Sequence, residues 1–176
     1  MNLYFDTEFT GLHQNTSLIS IGIVDDDNRM FYATFDDYKR EQVDDWILEN
    51  VINNLDLYFN KQTNYISVCC GNTKKITKAI LDWLNFYGDA DKLEIWSDCL
   101  SYDWVLFNEL FGGALNIPDN IYYIPFDICT LFKIKNIDPD INREQFSEME
   151  NNPNKHNSLF DAIVIKKCYE KLMALP

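Results

Sequence analysis

The chain has 176 residues, of which 47% are hydrophobic and 15% aromatic, and its 15 basic and 28 acidic side chains give a net charge of -13. This length and composition suit one sizeable hydrophobic core, so we expect a single domain over residues 1–176. The charge argues against a protein that coats long nucleic acid, because such binding uses lysine and arginine to release counterions. Metal ions held by some of the carboxylates would nevertheless make one local site suitable for a phosphodiester.

The sequence contains no stretch of about 18 apolar residues that could span a bilayer, and its N-terminus lacks the basic and apolar segments of a signal peptide. We therefore expect a soluble, cytoplasmic protein without a membrane partner. An odd number of cysteines with no C-x-x-C pair argues against a zinc knuckle and a closed disulfide framework. We expect reduced, mostly buried thiols at Cys69, Cys70, Cys99, Cys129 and Cys168.

Three strands are predicted at the start of the chain. Residues 2–9 form an apolar, aromatic-rich stretch that leads into the turn signal Thr10-Gly11. Residues 18–24 and 30–35 are two further apolar runs, and the polar turn at 25–28 between them predicts an antiparallel hairpin.

Two amphipathic helices should follow the hairpin. Apolar residues recur at helical spacing over residues 44–59. The same spacing recurs over residues 76–87, after a helix cap at Asn72 or Thr73.

The second half of the chain alternates short strands with helices. We predict strands at 93–96 and 121–124 and helices at 102–111 and 161–173. The polar, proline-containing stretch 136–157 is interpreted as a long mobile connection. The predicted fold class is therefore α/β, with a mixed sheet of an antiparallel N-terminal hairpin and then parallel strands, flanked by helices.

Two acidic residues stand two positions apart near the end of the first strand. Asp6 and Glu8 point to the same face of the sheet, since side chains alternate along a strand. Each of two neighbouring like charges that lose hydration destabilises the folded state by several kcal/mol unless an opposite charge lies nearby. A divalent cation is the simplest such counter-charge. The alternative is that the strand ends at Phe5 and that both acids lie in solvent.

A third acid, Asp103, begins the helix that follows the strand at 93–96, where ligand sites are expected beyond the carboxyl end of the strand. An acid in a first helical turn is also stabilised by the helix dipole without any function. Asp98 lies closer to the strand end and competes for the same role. Asp127 is interpreted as a helix-start residue.

His156 and Asp161 lie five residues apart, with the acid on the last predicted helix and the histidine on the preceding loop. A histidine beside an acid at the end of a mobile loop suits a general base near neutral pH. The alternatives are a solvent-exposed loop histidine and a capping box from Ser158 to Asp161, which would make the acid structural.

Three segments together resemble, in this order, the exonuclease motifs of the DEDDh family of 3'-5' exonucleases. They are FDTEFTGL at residues 5–12, SYDW at 101–104 and HNSLFDA at 156–162. The sequence is similar to three branches of that family, namely oligoribonuclease, the phage exonuclease DexA and the mycobacterial ribonuclease AS. The motifs do not distinguish among these three branches.

The resemblance implies a ribonuclease H-like fold and a two-metal mechanism with Mg²⁺ or Mn²⁺ that releases 5'-mononucleotides from single-stranded RNA or DNA 3' ends. It implies that Asp6, Glu8, Asp103 and Asp161 are metal ligands and that His156 is the general base, and it assigns no role to Asp98. Substrate contacts are expected from Phe9, Thr10 and Leu12, with Leu12 wedged against the last base. For Phe9, simple packing in the core is the alternative. The 136–157 loop would close over the substrate, and a homodimer is left open.

Two other functions are alternatives to the exonuclease. One is a catalytically silent module on the same fold that binds nucleic-acid ends or a protein. The other is a phosphatase of the haloacid dehalogenase class, which needs Asp-x-Asp, whereas here Glu8 occupies the second position.

Overall fold

The structure is a computed structural model that describes residues 1–55, 66–88, 92–150 and 155–176. Its centre is a six-stranded mixed sheet with the strand order β4-β3-β2-β1-β5-β6. The strands are β1 (Asn2–Phe9), β2 (Leu18–Asp25), β3 (Met30–Phe35), β4 (Ile66–Gly71), β5 (Glu94–Ser97) and β6 (Phe126–Asp127).

Six α-helices accompany the sheet within the described ranges, together with short 3-10 turns at Arg40–Gln42, Ile52–Asn54, Asn85–Tyr87 and Ala114–Asn116. The helices are α1 (Asp45–Asn50), α2 (Thr73–Leu84), α3 (Leu100–Leu110), α4 (Ile128–Ile134), α5 (Arg143–Phe146) and α6 (Ser158–Ala174).

The strand pairing confirms the predicted fold class. β1, β2 and β3 pair in antiparallel fashion. β4 then pairs parallel to β3, β5 pairs parallel to β1, and β6 pairs parallel to β5. The sheet is therefore mixed, with an antiparallel N-terminal meander and parallel strands on both sides of it.

Helices cover both faces of the sheet, and alternate residues of β1 contribute to two separate cores. Leu3 and Phe5 belong to the cluster with α2 and α3, whereas Tyr4 belongs to the cluster with α4 and α6. Because Asp6 and Glu8 share the side of Tyr4, they are directed towards α6. Thr7 is directed towards α3.

The first turn of α6 lies directly on β2. A Cβ atom at Gly22 would overlap the backbone of Ser158 and Leu159, so only glycine permits this approach. Gly22 pairs with Asp6 across the sheet, and Ser20 pairs with Glu8. The hydroxyls of Ser20 and Ser158 are hydrogen-bonded at 2.9 Å. The small residues of β2 thus bring the start of α6 next to the two acids of β1.

Several predicted elements have different bounds in the structure. The helix expected at 44–59 is shorter, since α1 ends at Asn50 and a 3-10 turn follows it, while residues 56–59 lie outside the described residues. The other three predicted helices are present, and α6 begins earlier, at Ser158. Asn72 caps α2 and Asp127 caps α4, as expected.

The strand predicted at 121–124 is wrong. Ile121 forms only an isolated bridge to Leu93, and the strand that joins the sheet is β6, two residues long. The sequence reading also missed β4, an edge strand whose exposed Val68 and Cys70 interrupt any buried pattern.

The stretch 136–157 is not simply a loop, because it contains α5, capped by the Asn142 side chain. Residues 151–154 lie outside the described residues. The cysteine prediction is wrong in one respect: all five thiols are free, but only Cys168 is buried, and Cys70 is exposed. Within the described ranges, the helices are too short or too polar to cross a bilayer.

We predict that Gly22→Ala destabilises the protein by about 1–3 kcal/mol, because the added methyl group must push α6 away from β2. The measurement is the free energy of unfolding in urea. Ser101→Ala, at an exposed position of α3, is the control and should leave stability nearly unchanged. A Gly22→Ala variant as stable as the wild type would contradict the close approach.

Candidate active site

The acidic residues singled out from the sequence meet at one edge of the sheet. β1 and β5 run parallel, so their carboxyl ends lie at the same edge, where ligand sites of such sheets form. β1 supplies Asp6 and Glu8, and α3 follows β5 and supplies Asp103. Asp161 lies in the first turn of α6, and His156 precedes that helix.

The possible ligand atoms form two groups, and within each group the atoms lie within 4.8 Å of one another. One contains Glu8, His156 and Asp161, and the other contains Asp6, Asp98 and Asp103. The structure therefore brings together all five residues of the predicted catalytic set, and it adds Asp98, to which the resemblance gave no role.

Asp103 is fully buried and held by two hydroxyl groups. Thr7 Oγ1 donates to Asp103 Oδ1 at 2.5 Å, and Ser97 Oγ donates to Oδ2. Both donors favour the charged carboxylate, but burial outweighs them and raises the pKa of Asp103 to about 7. The sequence reading missed Thr7 and Ser97, although the position of Thr7 between Asp6 and Glu8 was a signal.

Asp6 is only 8% exposed, and within the described part of the chain its carboxylate has no hydrogen-bond or ion-pair partner. Burial is the main cause that raises its pKa well above the usual value, followed by the charges of Asp103, Asp161 and Glu8. A buried carboxylate without a partner is costly, so this side chain favours a bound cation.

The same crowding affects the neighbouring acids. Burial, and then the charge of Asp161, raises the pKa of Glu8 to about 8. Burial, and then the charges of Asp98 and Glu144, raises the pKa of Asp161 to about 8. The protein thus holds several carboxylates that repel one another, and positive charge placed between them would relieve that repulsion.

Asp98 differs from the other acids because it has a cationic partner. The Nε atom of Arg143, on α5, lies 3.0 Å from Asp98 Oδ2. Burial raises the pKa of Asp98, and the guanidinium opposes this shift. Asp98 therefore already has the counter-charge that Asp6 lacks.

His156 lies at the rim of the carboxylate cluster in a left-handed backbone conformation, with φ 59°. Burial, and then the positive charge of Lys155, lowers the pKa of the imidazole, while Glu144 opposes the shift. A lowered pKa keeps the ring neutral near pH 7, as a proton acceptor requires. The capping-box alternative is wrong, because Asn157 caps α6 by accepting from Leu159 N and Ser158 bonds to Ser20 instead.

A cleft of about 810 Å³ is lined by Asp6, Glu8, Asp98, Asp161 and His156. Leu12 lines this cleft and is 74% exposed, and Trp46 lines it and is 54% exposed. Phe9 also lines it, with its ring stacked on Tyr102 at 5.2 Å. Thr10 is buried, and its hydroxyl donates to Gln42 at 2.5 Å.

The cleft therefore joins a carboxylate cluster to exposed apolar side chains. Trp46 lies in the stretch 44–59, whose apolar residues predicted a helix packed on the core, and its exposure in the cleft was not foreseen. The lining of the cleft also includes residues 140–144, around α5.

Comparison with known proteins decides the family. The family model for the 3'-5' exoribonuclease Rv2179c-like domain matches residues 1–173. The chain belongs to this Rv2179c-like family. The match confirms the prediction of a 3'-5' exonuclease of the DEDDh type, and it leaves no support for the haloacid dehalogenase alternative.

Two curated relatives of this Rv2179c-like protein come from Mycobacterium tuberculosis. They are the 3'-5' exoribonucleases Rv2179c of strain H37Rv and MT2234.1 of strain CDC 1551, each 26% identical over 121 residues. The aligned region covers 69% of this chain and 67% of each relative.

A solved structure supports the fold. The nuclease domain of 3'hExo, a DEDDh family member bound to rAMP, matches with a TM-score of 0.66 and 13% identity. The match covers 98% of the Rv2179c-like chain and 90% of the 3'hExo chain. At this identity it confirms the ribonuclease H-like DEDDh nuclease architecture.

We predict that the metal-free protein loses stability as the pH rises from about 4 to about 8. Unfolded acids titrate near pH 4, whereas burial and mutual repulsion raise the pKa of Glu8 and Asp161 to about 8. The folded state then binds more protons than the unfolded state between these values, so its stability is greatest at the acid end and falls towards the alkaline end.

The measurement is the midpoint of thermal unfolding in EDTA across this pH range, with Glu8→Gln as the comparison. The variant should show a shallower decline, and added Mn²⁺ should stabilise the wild type most at the alkaline end. The carboxylate cluster would not be the cause of the pH dependence if the unfolding midpoint declined with pH equally in the two proteins. The same conclusion would follow if Mn²⁺ raised the midpoint equally at the acid and alkaline ends of the range.

Proposed function

We propose that the protein is a single-domain, divalent-metal-dependent exonuclease that removes 5'-mononucleotides from the 3' end of single-stranded nucleic acid. The observation that carries the proposal is the convergence of Asp6, Glu8, Asp103 and Asp161 beside His156, from three separate parts of the chain. Membership of the Rv2179c-like family supports the same reaction.

The residues present fit divalent cations. Carboxylate oxygens are the preferred ligands of Mg²⁺ and Mn²⁺, and the four acids would balance two such ions in charge. Asp6 is buried without a partner, and the pKa values of Glu8 and Asp161 are raised, as expected where a counter-charge belongs. Asp6, Glu8, Asp103 and Asp161 are the ligands that we assign.

When bound, two divalent cations would lower the pKa of a water molecule and stabilise the leaving 3' oxygen. His156 accepts the proton of the attacking water, for which its lowered pKa keeps it neutral. Thr7 and Ser97 fix both oxygens of Asp103 and so hold this ligand in one orientation.

The cleft supports a substrate that is short or frayed. Its wall carries Arg143 and Lys155 among many acids, so there is little basic surface to hold a long phosphate backbone. Affinity must then come from the terminal phosphodiester and from apolar contacts with the last bases. Leu12 and Trp46 are exposed in the cleft and suited to such contacts, which tolerate any base.

RNA is the substrate that we favour over DNA, because the curated relatives are named exoribonucleases. Roles for Phe9 and Thr10 in substrate binding stay predictions, as does the cytoplasmic location, and the homodimer stays an open alternative. Because the protein would hold the phosphate backbone of the substrate weakly, we predict distributive digestion, in which the substrate dissociates between successive cleavages.

We predict that Asp6→Ala, Glu8→Ala, Asp103→Ala and Asp161→Ala each reduce turnover at least about 100-fold, because the loss of one ligand disturbs both ions. Asp98→Ala should lose far less, since Arg143 already neutralises this carboxylate. His156→Ala should lose roughly 10²- to 10⁴-fold, the range for general-base catalysis, while still binding Mn²⁺.

The measurement is single-turnover release of mononucleotides from a labelled RNA with Mg²⁺ or Mn²⁺, with EDTA as the negative control. Asp82→Ala, an exposed acid on α2, is the matched control and should be as active as the wild type. An inactive Asp98→Ala together with an active Asp103→Ala would overturn the ligand assignment. Failure of the folded wild type to release nucleotides would favour a silent binding module.

A further inference from the structure

The backbone at His156 needs support from its surroundings. Its φ of 59° is in the left-handed region, which is uncommon for residues with a Cβ atom and persists where neighbouring contacts hold it. The imidazole also packs edge-on against Trp46, with ring centroids 5.2 Å apart. The position of the imidazole therefore depends on contacts outside the H-x-x-x-x-D segment.

The following residue, Asn157, is almost fully buried and uses both ends of its side-chain amide. Its Nδ2 donates to the Asn54 carbonyl at 3.0 Å and to the Tyr32 hydroxyl at 3.1 Å. Its Oδ1 accepts from Leu159 N at 3.2 Å and caps α6. One side chain thus ties the His156 segment to β3, to the turn after α1 and to α6.

The preceding residue, Lys155, is tied to the same region. Asn54 Nδ2 donates to the Lys155 carbonyl at 3.5 Å, so Asn54 contacts the residues on both sides of His156. The Lys155 ammonium lies 3.4 Å from a carboxylate oxygen of Glu144 on α5. The backbone of His156 is therefore fixed on both sides, with the stronger contacts on the side of Asn157.

We propose that Asn157 is a positioning residue that fixes His156 for proton transfer, through its two donated hydrogen bonds rather than through its cap on α6. The inference rests on the proposed role of His156 as the general base. Misplacement of a catalytic group by about 1 Å can cost on the order of 100-fold in rate, so these hydrogen bonds affect turnover more than substrate binding.

The test separates the two functions of the Asn157 side chain. Asn157→Ser keeps an oxygen that can cap α6 and removes both amide donors. We expect kcat to fall roughly 10- to 100-fold while KM changes less than about threefold. In a His156→Ala background the same substitution should cause no further loss, since the group that it positions is already absent.

The matched control is Asn72→Ser, which makes the same change at the N-cap of α2, where the side chain accepts from Lys75 N. This variant should keep the wild-type kcat. All variants are compared by thermal unfolding, so that a loss of folded protein is not counted as a loss of rate.

Three results would overturn the inference: a wild-type kcat for Asn157→Ser, an equal loss in the wild-type and His156→Ala backgrounds, or a change confined to KM. If His156→Ala were as active as the wild type, that result would instead contradict the proposed role of His156 as the general base. If Asn157→Ser does not fold, Tyr32→Phe decides, because it removes one of the two acceptors of the Asn157 amide. It also removes the hydrogen bond that the Tyr32 hydroxyl donates to the Leu55 carbonyl, so its thermal unfolding is measured as well. It should then lower kcat to a smaller extent, and an unchanged kcat would overturn the inference.

Discussion

Mutual repulsion among buried carboxylates is the constraint on which this structure depends. Asp6 has no partner within the described residues, and the pKa values of Glu8, Asp103 and Asp161 are all raised, chiefly by burial. A fold gains nothing from such an arrangement unless cations complete it. Under the proposed function, the carboxylate cluster is the protein's part of a divalent-metal site, and the same ions would serve the exonuclease chemistry.

The fold brings these charges together by bringing backbones close. Glycine at position 22 lets the first turn of α6 lie on β2, opposite the pair of acids on β1. The other helical layer supplies Asp103, whose orientation is fixed by hydroxyls from β1 and β5. Each helical layer thus contributes one carboxylate to the sheet edge where β1 contributes two.

The sequence predicted the fold class and most of the residues that meet at the sheet edge because both have local patterns, namely apolar runs, Asp-x-Glu and the spacing from His156 to Asp161. Asp103 was preferred to Asp98 only through the family resemblance. It failed at β4, where an edge strand is half exposed, and at β6, which has only two residues. It also could not predict the pairing of Asp98 with Arg143 or of Asn157 with Asn54, because these partners are distant in sequence and meet only in the folded chain.

The central claim is that a metal-filled carboxylate cluster removes nucleotides from a free 3' end. The most direct measurement compares two single-stranded RNAs labelled at the 5' end, one with a 3' hydroxyl and one with a 3' phosphate, in Mg²⁺ or EDTA. The account predicts a ladder that shortens from the 3' end only with the hydroxyl and only with the metal. Cleavage of a circular single strand, equal rates on both RNAs, or full activity in EDTA would contradict it.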